Sequence, residues 1–201
     1  MPYRKVMFAA GGFYHVYNRG FLKKTIFKEV RDFRKFTHRL SVLITKLPFR
    51  LHAYCLMPNH FHLLLEQLKD NVPVSELMNK QLGSYGKYFN TKYQIKGAVF
   101  EGRFQAKEIQ TDPSLLQVSK YIHRNPIEAG LVTRLIDYPW SSYPSFLGDV
   151  AEPMVRTAFL LEYFSSRQGK VRDFRAFVEE SFAEGELLPL QNVLFRKQEQ
   201  E

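Results

Sequence analysis

A short apolar run with two histidines is the feature that most limits the folds open to this chain. Residues 54–66 are mostly apolar and carry His60 and His62 two positions apart. Successive residues of a strand point to opposite faces of a sheet, so the two histidines would share one face. The other face would be wholly apolar, with Phe61, Leu63 and Leu65. We expect helices on the apolar face and an open histidine face, where two adjacent imidazoles can bind a metal, although such pairs are often structural.

The composition is that of one globular domain with an appendage. The chain has 201 residues, of which 45% are hydrophobic and 24% charged. A single cysteine, Cys55, excludes an internal disulfide framework and fits a reducing compartment. No stretch approaches the roughly 18 apolar residues of a membrane span, and the first residues lack the apolar core of a signal peptide. We therefore expect a cytoplasmic protein.

Positive charge is concentrated at the start of the chain. Residues 1–50 hold 12 basic and two acidic side chains, whereas residues 111–201 hold 10 and 13. The net charge of the whole chain is +9. A local excess of this size favours binding to a polyanion, most simply nucleic acid, through phosphate contacts and release of counterions. A basic face that only keeps the protein soluble is the alternative.

The order of the predicted elements indicates an α+β fold. Alternating and three-to-four-residue spacings of apolar side chains predict strands at 13–18, 51–57, 60–66 and 100–109 and helices at 28–45 and 75–93. We expect Ser75 to cap the second helix, and Gly97 and Gly102 to lead into the last strand. This β-α-β-β-α-β order predicts a ferredoxin-like split βαβ antiparallel sheet with two helices on one face.

A further helix carries two polar residues one turn apart. It begins near Asp112, the predicted N-cap, and Tyr121 and Asn125 lie on a polar stripe distinct from the buried one. Both side chains can reach a site that faces the helix, the phenol as a nucleophile and the amide oxygen as a metal ligand. The alternatives are a packing role for Tyr121 and a helix-ending turn at Asn125, which precedes Pro126. His123 is expected on the surface.

Three motifs, taken in order, carry a family resemblance. The run from His52 to Leu65, the strand from Tyr14 to Gly20 and the segment from Tyr121 to Pro126 resemble the single-tyrosine HUH transposases, and most of all their REP-associated branch. The likeness spans roughly residues 11–145. It implies an HUH active site in which His60, His62 and Asn125 hold Mg²⁺ or Mn²⁺ and Tyr121 attacks the scissile phosphate.

The resemblance also implies a DNA partner and a reaction. A member of this family would nick and rejoin single-stranded DNA at hairpins through a 5′-phosphotyrosine, in the cytoplasm and on the nucleoid of a bacterium. We expect Lys120 to help activate the tyrosine, and Tyr14, Tyr17 and Phe104 to offer rings for base stacking. The predicted DNA-binding residues are Arg19, Arg31, Arg34, Lys35, Arg103, Lys107, Lys120 and Arg124.

Other possibilities remain open at this point. The protein could be a catalytically idle hairpin-binding protein, or a zinc hydrolase that uses the histidine pair, although the motif lacks an obvious carboxylate base. Residues 1–148 are predicted to form the transposase domain and residues 149–201 a C-terminal extension with helices at 155–164 and 169–182 and a frayed acidic tail. Either a monomer or a homodimer is compatible with the family, and the extension slightly favours the monomer.

Overall fold

Four antiparallel strands form the sheet on which the rest of the protein is built. The computed structural model describes residues 6–164 and 169–183. The strands are β1 (Phe13–Arg19), β2 (Phe49–Met57), β3 (His60–Gln67) and β4 (Gln105–Ile109). Their order across the sheet is β2-β3-β1-β4, and every neighbouring pair is antiparallel. This is the order of a ferredoxin-like sheet, so the predicted α+β fold is confirmed.

Two long helices cover the apolar face of the sheet, as predicted. They are α1 (Val30–Lys46) and α2 (Val74–Tyr93). The ring of Phe36 on α1 lies 5.1 Å from Phe61 on β3 and 5.2 Å from Tyr85 on α2, so one buried aromatic cluster joins the three elements. Burying each such ring contributes about 1.5–3 kcal/mol to folding.

The ends of two helices differ from the prediction. Pro73, not Ser75, is the N-cap of α2, and Ser75 lies inside the helix. The third helix, α3 (Asp112–Glu128), is capped by the Thr111 hydroxyl, which accepts a hydrogen bond from the backbone N–H of Ser114. The cap therefore falls one residue before Asp112. Pro126 lies inside α3, so the helix continues past Asn125 instead of ending there.

The last strand is shorter than predicted. Phe100 makes only a single bridge, to Gly20, and β4 begins at Gln105. Gly97 and Gly102 have φ angles of 102° and 66°, which lie outside the extended region and interrupt the strand on either side of Phe100. The segment from Phe100 to Phe104 is therefore a turn that leads into a short edge strand.

The second face of the sheet is covered, contrary to the prediction of an open face. The third helix crosses it, and the short helices α4 (Tyr143–Phe146) and α5 (Thr157–Leu161) extend the cover. Phe159 of α5 stacks on Phe13 of β1 with 5.4 Å between ring centroids. This face is covered because the part of the chain that follows β4 returns across it.

The C-terminal segment packs against the rest of the protein. Helix α6 (Lys170–Glu179) lies on α3, where the Phe174 ring contacts His123. Both predicted C-terminal helices exist but are shorter than expected, and the acidic tail lies outside the described residues. The boundary between residues 148 and 149 stays a prediction. Within the described ranges, no helix is both long and apolar enough to cross a bilayer.

Candidate active site

The two motif histidines lie side by side on the face crossed by α3. Strand β3 pairs His62 with Tyr17 of β1 on one side and with Cys55 of β2 on the other, and all three side chains share this face. The rings of His60 and His62 have centroids 5.0 Å apart and are nearly perpendicular. His62 is fully buried, whereas His60 is half-buried at the rim. The pair therefore forms the floor and edge of a small polar site.

Helix α3 places Tyr121 and Asn125 over the same site. Its buried stripe of Leu115, Val118 and Ile122 packs the helix against the sheet. The Tyr121 ring then stands edge-on to His62, with 5.5 Å between centroids. One turn later, the Asn125 side chain lies within hydrogen-bonding reach of both the His62 ring and the Tyr121 hydroxyl. The four residues that the resemblance implies are thus brought together by two elements.

Each motif histidine is anchored through its Nδ1 atom. Nδ1 of His60 lies 2.6 Å from the amide oxygen Oδ1 of Asn59. An amide oxygen can only accept, so Nδ1 of His60 carries the proton. Nδ1 of His62 lies 3.0 Å from Nε2 of His15, a fully buried residue of β1. With Nδ1 engaged in both rings, Nε2 is the nitrogen through which each histidine would coordinate a metal.

Burial keeps the central groups of the site uncharged. Desolvation lowers the pKa of His62 well below its ordinary value, and its histidine neighbours His60 and His15 lower it further. Burial also raises the pKa of the Tyr121 hydroxyl above its ordinary value, while the hydrogen bond from Asn125 acts in the opposite direction. Neutral imidazoles are the form that binds a metal, and a protonated phenol must be activated before it can attack.

The donor set of the site combines nitrogen and oxygen ligands. Across the described parts of the chain, no group of three His, Cys, Asp or Glu side chains is placed to hold a metal ion. A site built on His60 and His62 therefore needs a ligand of another kind. The Nδ2 atom of Asn125 donates to the backbone carbonyl of Tyr121 at 2.8 Å, a bond that does not use the amide oxygen. Two imidazoles and an amide oxygen could hold a divalent cation whose remaining positions are filled by water or phosphate oxygens.

Comparison with known families assigns the chain. A model of the transposase family described as IS200-like matches residues 12–125, which is more than half of the sequence. The chain belongs to this transposase family. The matched region begins just before β1 and ends at Asn125, so it contains the histidine pair, the tyrosine and the amide. The family resemblance predicted from the three motifs is therefore confirmed.

Two known proteins place this transposase more closely. A Haemophilus influenzae protein classed as a candidate REP-associated tyrosine transposase is 33% identical over 107 residues, which cover 48% of this chain and 60% of the relative. The chain thus spans well under two thirds of that relative's length. A solved REP-associated tyrosine transposase bound to a REP hairpin has the same fold, with a TM-score of 0.61 at 18% identity. That match covers 77% of this chain and 93% of the solved one.

The predicted DNA-contacting residues fall on two separate surfaces. Arg31, Arg34 and Lys35 are exposed on α1, which covers the sheet face away from the histidines. Near the site, Arg19 is the cross-strand partner of His60 and pairs with Glu101, and Lys107 is the partner of His15. Arg103 is exposed at the turn before β4. Positive charge is therefore present both beside the site and on the opposite side of the protein.

Lys120 and Arg124 do not lie on a DNA-facing surface. Lys120 is 1% exposed, and its ammonium lies over the rings of Phe177 and Phe182 at 5.0 and 4.8 Å. Arg124 is 4% exposed and donates to the backbone carbonyls of residues 178–180 at 2.8–3.2 Å. Both charges are used to hold α6 against α3. The predicted phosphate contacts, and the predicted activation of Tyr121 by Lys120, do not agree with these positions.

Three predicted stacking platforms and one predicted surface residue are also buried. Tyr14 and Phe104 belong to the core, and Tyr17 lies in the floor of the site with its ring 6.0 Å from that of His62. None of the three presents a ring face for base stacking. His123 is fully buried, and its Nε2 lies 2.8 Å from the Ser142 hydroxyl. It ties α3 to the segment beside β2 instead of facing solvent.

Sequence reasoning missed the two residues that anchor the histidines. Asn59 appears in the sequence as part of a Pro-Asn turn, and its role depends on the side chain folding back onto the next residue. His15 was detectable in principle. It lies two residues before Tyr17 on β1 and therefore on the same face of the sheet. A ferredoxin-like order places β1 directly beside the histidine strand.

Proposed function

We propose that this transposase is a metal-dependent enzyme that nicks and rejoins single-stranded DNA at hairpins through a covalent bond to Tyr121. One observation carries the proposal: a tyrosine hydroxyl, two imidazoles and an amide converge on one face of the sheet, from β3 and α3. A hydroxyl nucleophile beside neutral nitrogen ligands and an amide oxygen is the arrangement that phosphoryl transfer at a metal requires.

The chemistry would proceed by exchange of one phosphodiester for another. The Tyr121 oxygen attacks phosphorus, a new P–O bond forms, and the bond from phosphorus to the 3′ oxygen breaks. The phenol loses its proton, and the departing 3′ oxygen gains one as a free hydroxyl. The product is a 5′-phosphotyrosine with the diester energy retained. A 3′ hydroxyl can then attack this linkage and release Tyr121, so that rejoining needs no nucleotide cofactor.

The protein's own residues position and activate the attacking group. Packing of α3 on the sheet fixes the Tyr121 ring edge-on to His62. The Asn125 amide stabilises the phenolate form, because its hydrogen bond lowers the pKa of Tyr121 against the effect of burial. His60, His62 and Asn125 would hold Mg²⁺ or Mn²⁺, which would polarise the scissile phosphate and stabilise its developing charge. Arg19 and Lys107 lie on the same face and would contact the flanking phosphates.

A DNA hairpin is the substrate that the comparisons favour. The solved relative with the same fold is described as bound to a REP hairpin, and the curated relative is named for the same class of repeats. The basic face of α1 would supply long-range attraction and contacts to the duplex stem. Such a protein would work on the bacterial nucleoid, in the cytoplasm.

A denaturing gel tests the proposal directly. The protein is incubated with labelled single-stranded hairpin DNAs and Mn²⁺ or Mg²⁺. We expect a covalent protein–DNA band with the wild type and with Tyr163→Phe, a partly exposed tyrosine of the C-terminal region. Tyr121→Phe, His62→Gln and a lane without metal should all lack the band.

The same incubations, run also on a native gel, test the alternative of an idle hairpin-binding protein. If hairpins shift in a native gel but no covalent band forms under any metal, across a panel that includes extragenic palindromes, the catalytic proposal is wrong. A covalent band that persists in Tyr121→Phe would show that another residue is the nucleophile.

A further inference from the structure

A third histidine lies directly beneath the proposed metal site. His15 is fully buried on β1, diagonal to His62 across the sheet, because the cross-strand partner of His62 is Tyr17. The two imidazole rings are stacked with centroids 5.1 Å apart, and Nε2 of His15 lies 3.0 Å from Nδ1 of His62. The Tyr121 ring stands edge-on to His15 at 6.0 Å. His15 thus contacts both His62 and Tyr121.

A hydrogen bond between two neutral imidazoles contains one proton and can be made in two ways. In the first, Nε2–H of His15 donates to Nδ1 of His62, and the remaining proton of His62 sits on Nε2. In the second, Nδ1–H of His62 donates to Nε2 of His15, and Nε2 of His62 keeps its lone pair. Only the second arrangement allows His62 to bind a metal through Nε2.

We propose that His15 is a positioning residue whose Nε2 accepts a hydrogen bond from Nδ1–H of His62 and so holds His62 in the tautomer that binds metal. The inference rests on the metal site proposed above. His60 has a matching device, since the amide oxygen of Asn59 holds its Nδ1–H at 2.6 Å. The two ligands are therefore oriented by acceptors from different elements, a turn residue for His60 and a neighbouring strand for His62.

Burial gives the His15 contact its strength. Both rings are inaccessible to water. If the Nε2 acceptor of His15 were lost, no water molecule could take its place as a hydrogen-bond partner of the His62 N–H. His62 could then recover a bonded state only by rotating or by moving its proton to Nε2. Either change removes the lone pair from the metal position. Residues that accept a hydrogen bond from a metal-bound histidine typically contribute about 10- to 100-fold to metal affinity, which sets the size of the expected effect.

The test compares two substitutions in the full-length protein by titration calorimetry with Mn²⁺. His15→Phe keeps a planar ring but has no acceptor, and His15→Gln places an amide oxygen near the position of Nε2. We expect His15→Phe to weaken Mn²⁺ binding about 10- to 100-fold and His15→Gln to stay near the wild-type affinity. His38→Phe, on the exposed face of α1, is the matched control and should not change the affinity.

Nitrogen-15 NMR of the wild type measures which nitrogen of His62 carries the proton. A role of His15 in packing alone would not determine this. Long-range ¹H–¹⁵N spectra of the metal-free protein should show the His62 proton on Nδ1. A proton on Nε2 would overturn the inference even if His15→Phe failed to fold. Equal losses in His15→Phe and His15→Gln would overturn it too, because they would mean that ring shape or direct coordination matters and the acceptor does not.

Failure of the metal site and failure of the His15 inference give different results. The metal proposal itself fails if the wild type binds no Mn²⁺. It also fails if His62→Gln binds Mn²⁺ as tightly as the wild type does. If the wild type binds Mn²⁺ at this pair and His15→Phe binds it equally well, only the role of His15 is rejected.

Discussion

Four of the six histidines are fully buried, and each forms a hydrogen bond with a neighbouring side chain. His15 and His62 bond each other, His123 bonds the Ser142 hydroxyl, and His52 bonds the carboxylate of Glu66. Desolvation lowers the pKa of His123 to about 3. Neutral imidazole has one donor and one acceptor, so a buried ring both links elements and fixes which nitrogen carries the proton. The candidate active site thus uses hydrogen bonds of buried histidine rings, which also link elements elsewhere in this protein.

Acid should destabilise the protein through His52. Burial lowers its pKa, and the hydrogen bond to Glu66 only partly opposes this. The unfolded chain takes up the proton near pH 6.5 but the folded one does not, so the free energy of unfolding falls as the pH drops below about 6.5. One proton corresponds to a slope of about 1.4 kcal/mol per pH unit. Chemical denaturation at pH 7 and at pH 5 measures this fall in the free energy of unfolding.

Substitution isolates the contribution of His52 from those of the other buried histidines. His52→Gln keeps a donor for Glu66 but cannot titrate, so its stability should fall less steeply between pH 7 and pH 5 than that of the wild type. His38→Gln, at an exposed position, should keep the wild-type slope. Equal slopes for His52→Gln and the wild type would contradict the prediction.

At the scale of elements, the tyrosine helix is held from both sides. Its apolar stripe packs on the sheet, while Arg124 and Lys120 attach α6 to its outer side. The Arg124 guanidinium satisfies carbonyl groups that the end of α6 leaves without helical partners. Two charges that could have attracted phosphate thus help instead to fix the helix that carries Tyr121, the proposed nucleophile. We infer that α6 contributes to the rigidity of the site.

Removal of Arg124 should therefore loosen α6 and α3 together. Arg124→Met keeps the aliphatic stem but removes the donor from one buried and two part-buried hydrogen bonds to carbonyls, which costs about 2–4 kcal/mol. Hydrogen exchange should become faster in α3 and α6 and stay unchanged in α2. Arg175→Met, which breaks an exposed ion pair with Glu179, is the matched control and should leave the exchange of α3 unchanged. Loss of stability without faster exchange in α3 would argue against the coupling.

At the scale of the whole molecule, one chain supplies every residue of the candidate site. The tyrosine and the amide come from α3, which lies on the sheet of its own chain, and the histidines come from β3 of that sheet. No second copy is needed to complete the constellation. The basic face of α1 lies on the other side of the sheet, so a bound hairpin would contact a different surface from the strand being cut. We propose that the protein acts as a monomer.

A mixing experiment tests whether the site is formed within one chain. Tyr121→Phe and His62→Gln are each expected to form no covalent band with hairpin DNA. If tyrosine helices were exchanged between chains, a mixture of the two variants would regain part of the activity. We expect none, whereas wild type diluted with Tyr121→Phe should lose adduct only in proportion to the wild-type fraction. Recovery in the mixture would show that the functional unit is a dimer.

Local patterns in the sequence predicted the order of the elements and singled out the residues that the structure brings together in the candidate site. Alternation over β3 and three-to-four spacing over α1 and α2 depend only on the local period of apolar side chains, and the structure follows them. Three motifs in order were enough to indicate the family. The basic face of α1 was also predictable, because charged residues on the polar side of an amphipathic helix remain in solvent.

Only the tertiary structure decided which polar residues meet. The contact between His15 and His62 depends on strand order, since the two residues are 47 positions apart in the chain. The burial of Lys120 and Arg124 depends on α6, which no pattern within α3 could reveal. The shortness of β4 follows from two glycine φ angles. Local periodicity specifies which way a side chain points along its own element, whereas its partner and its exposure depend on what the rest of the chain packs against it.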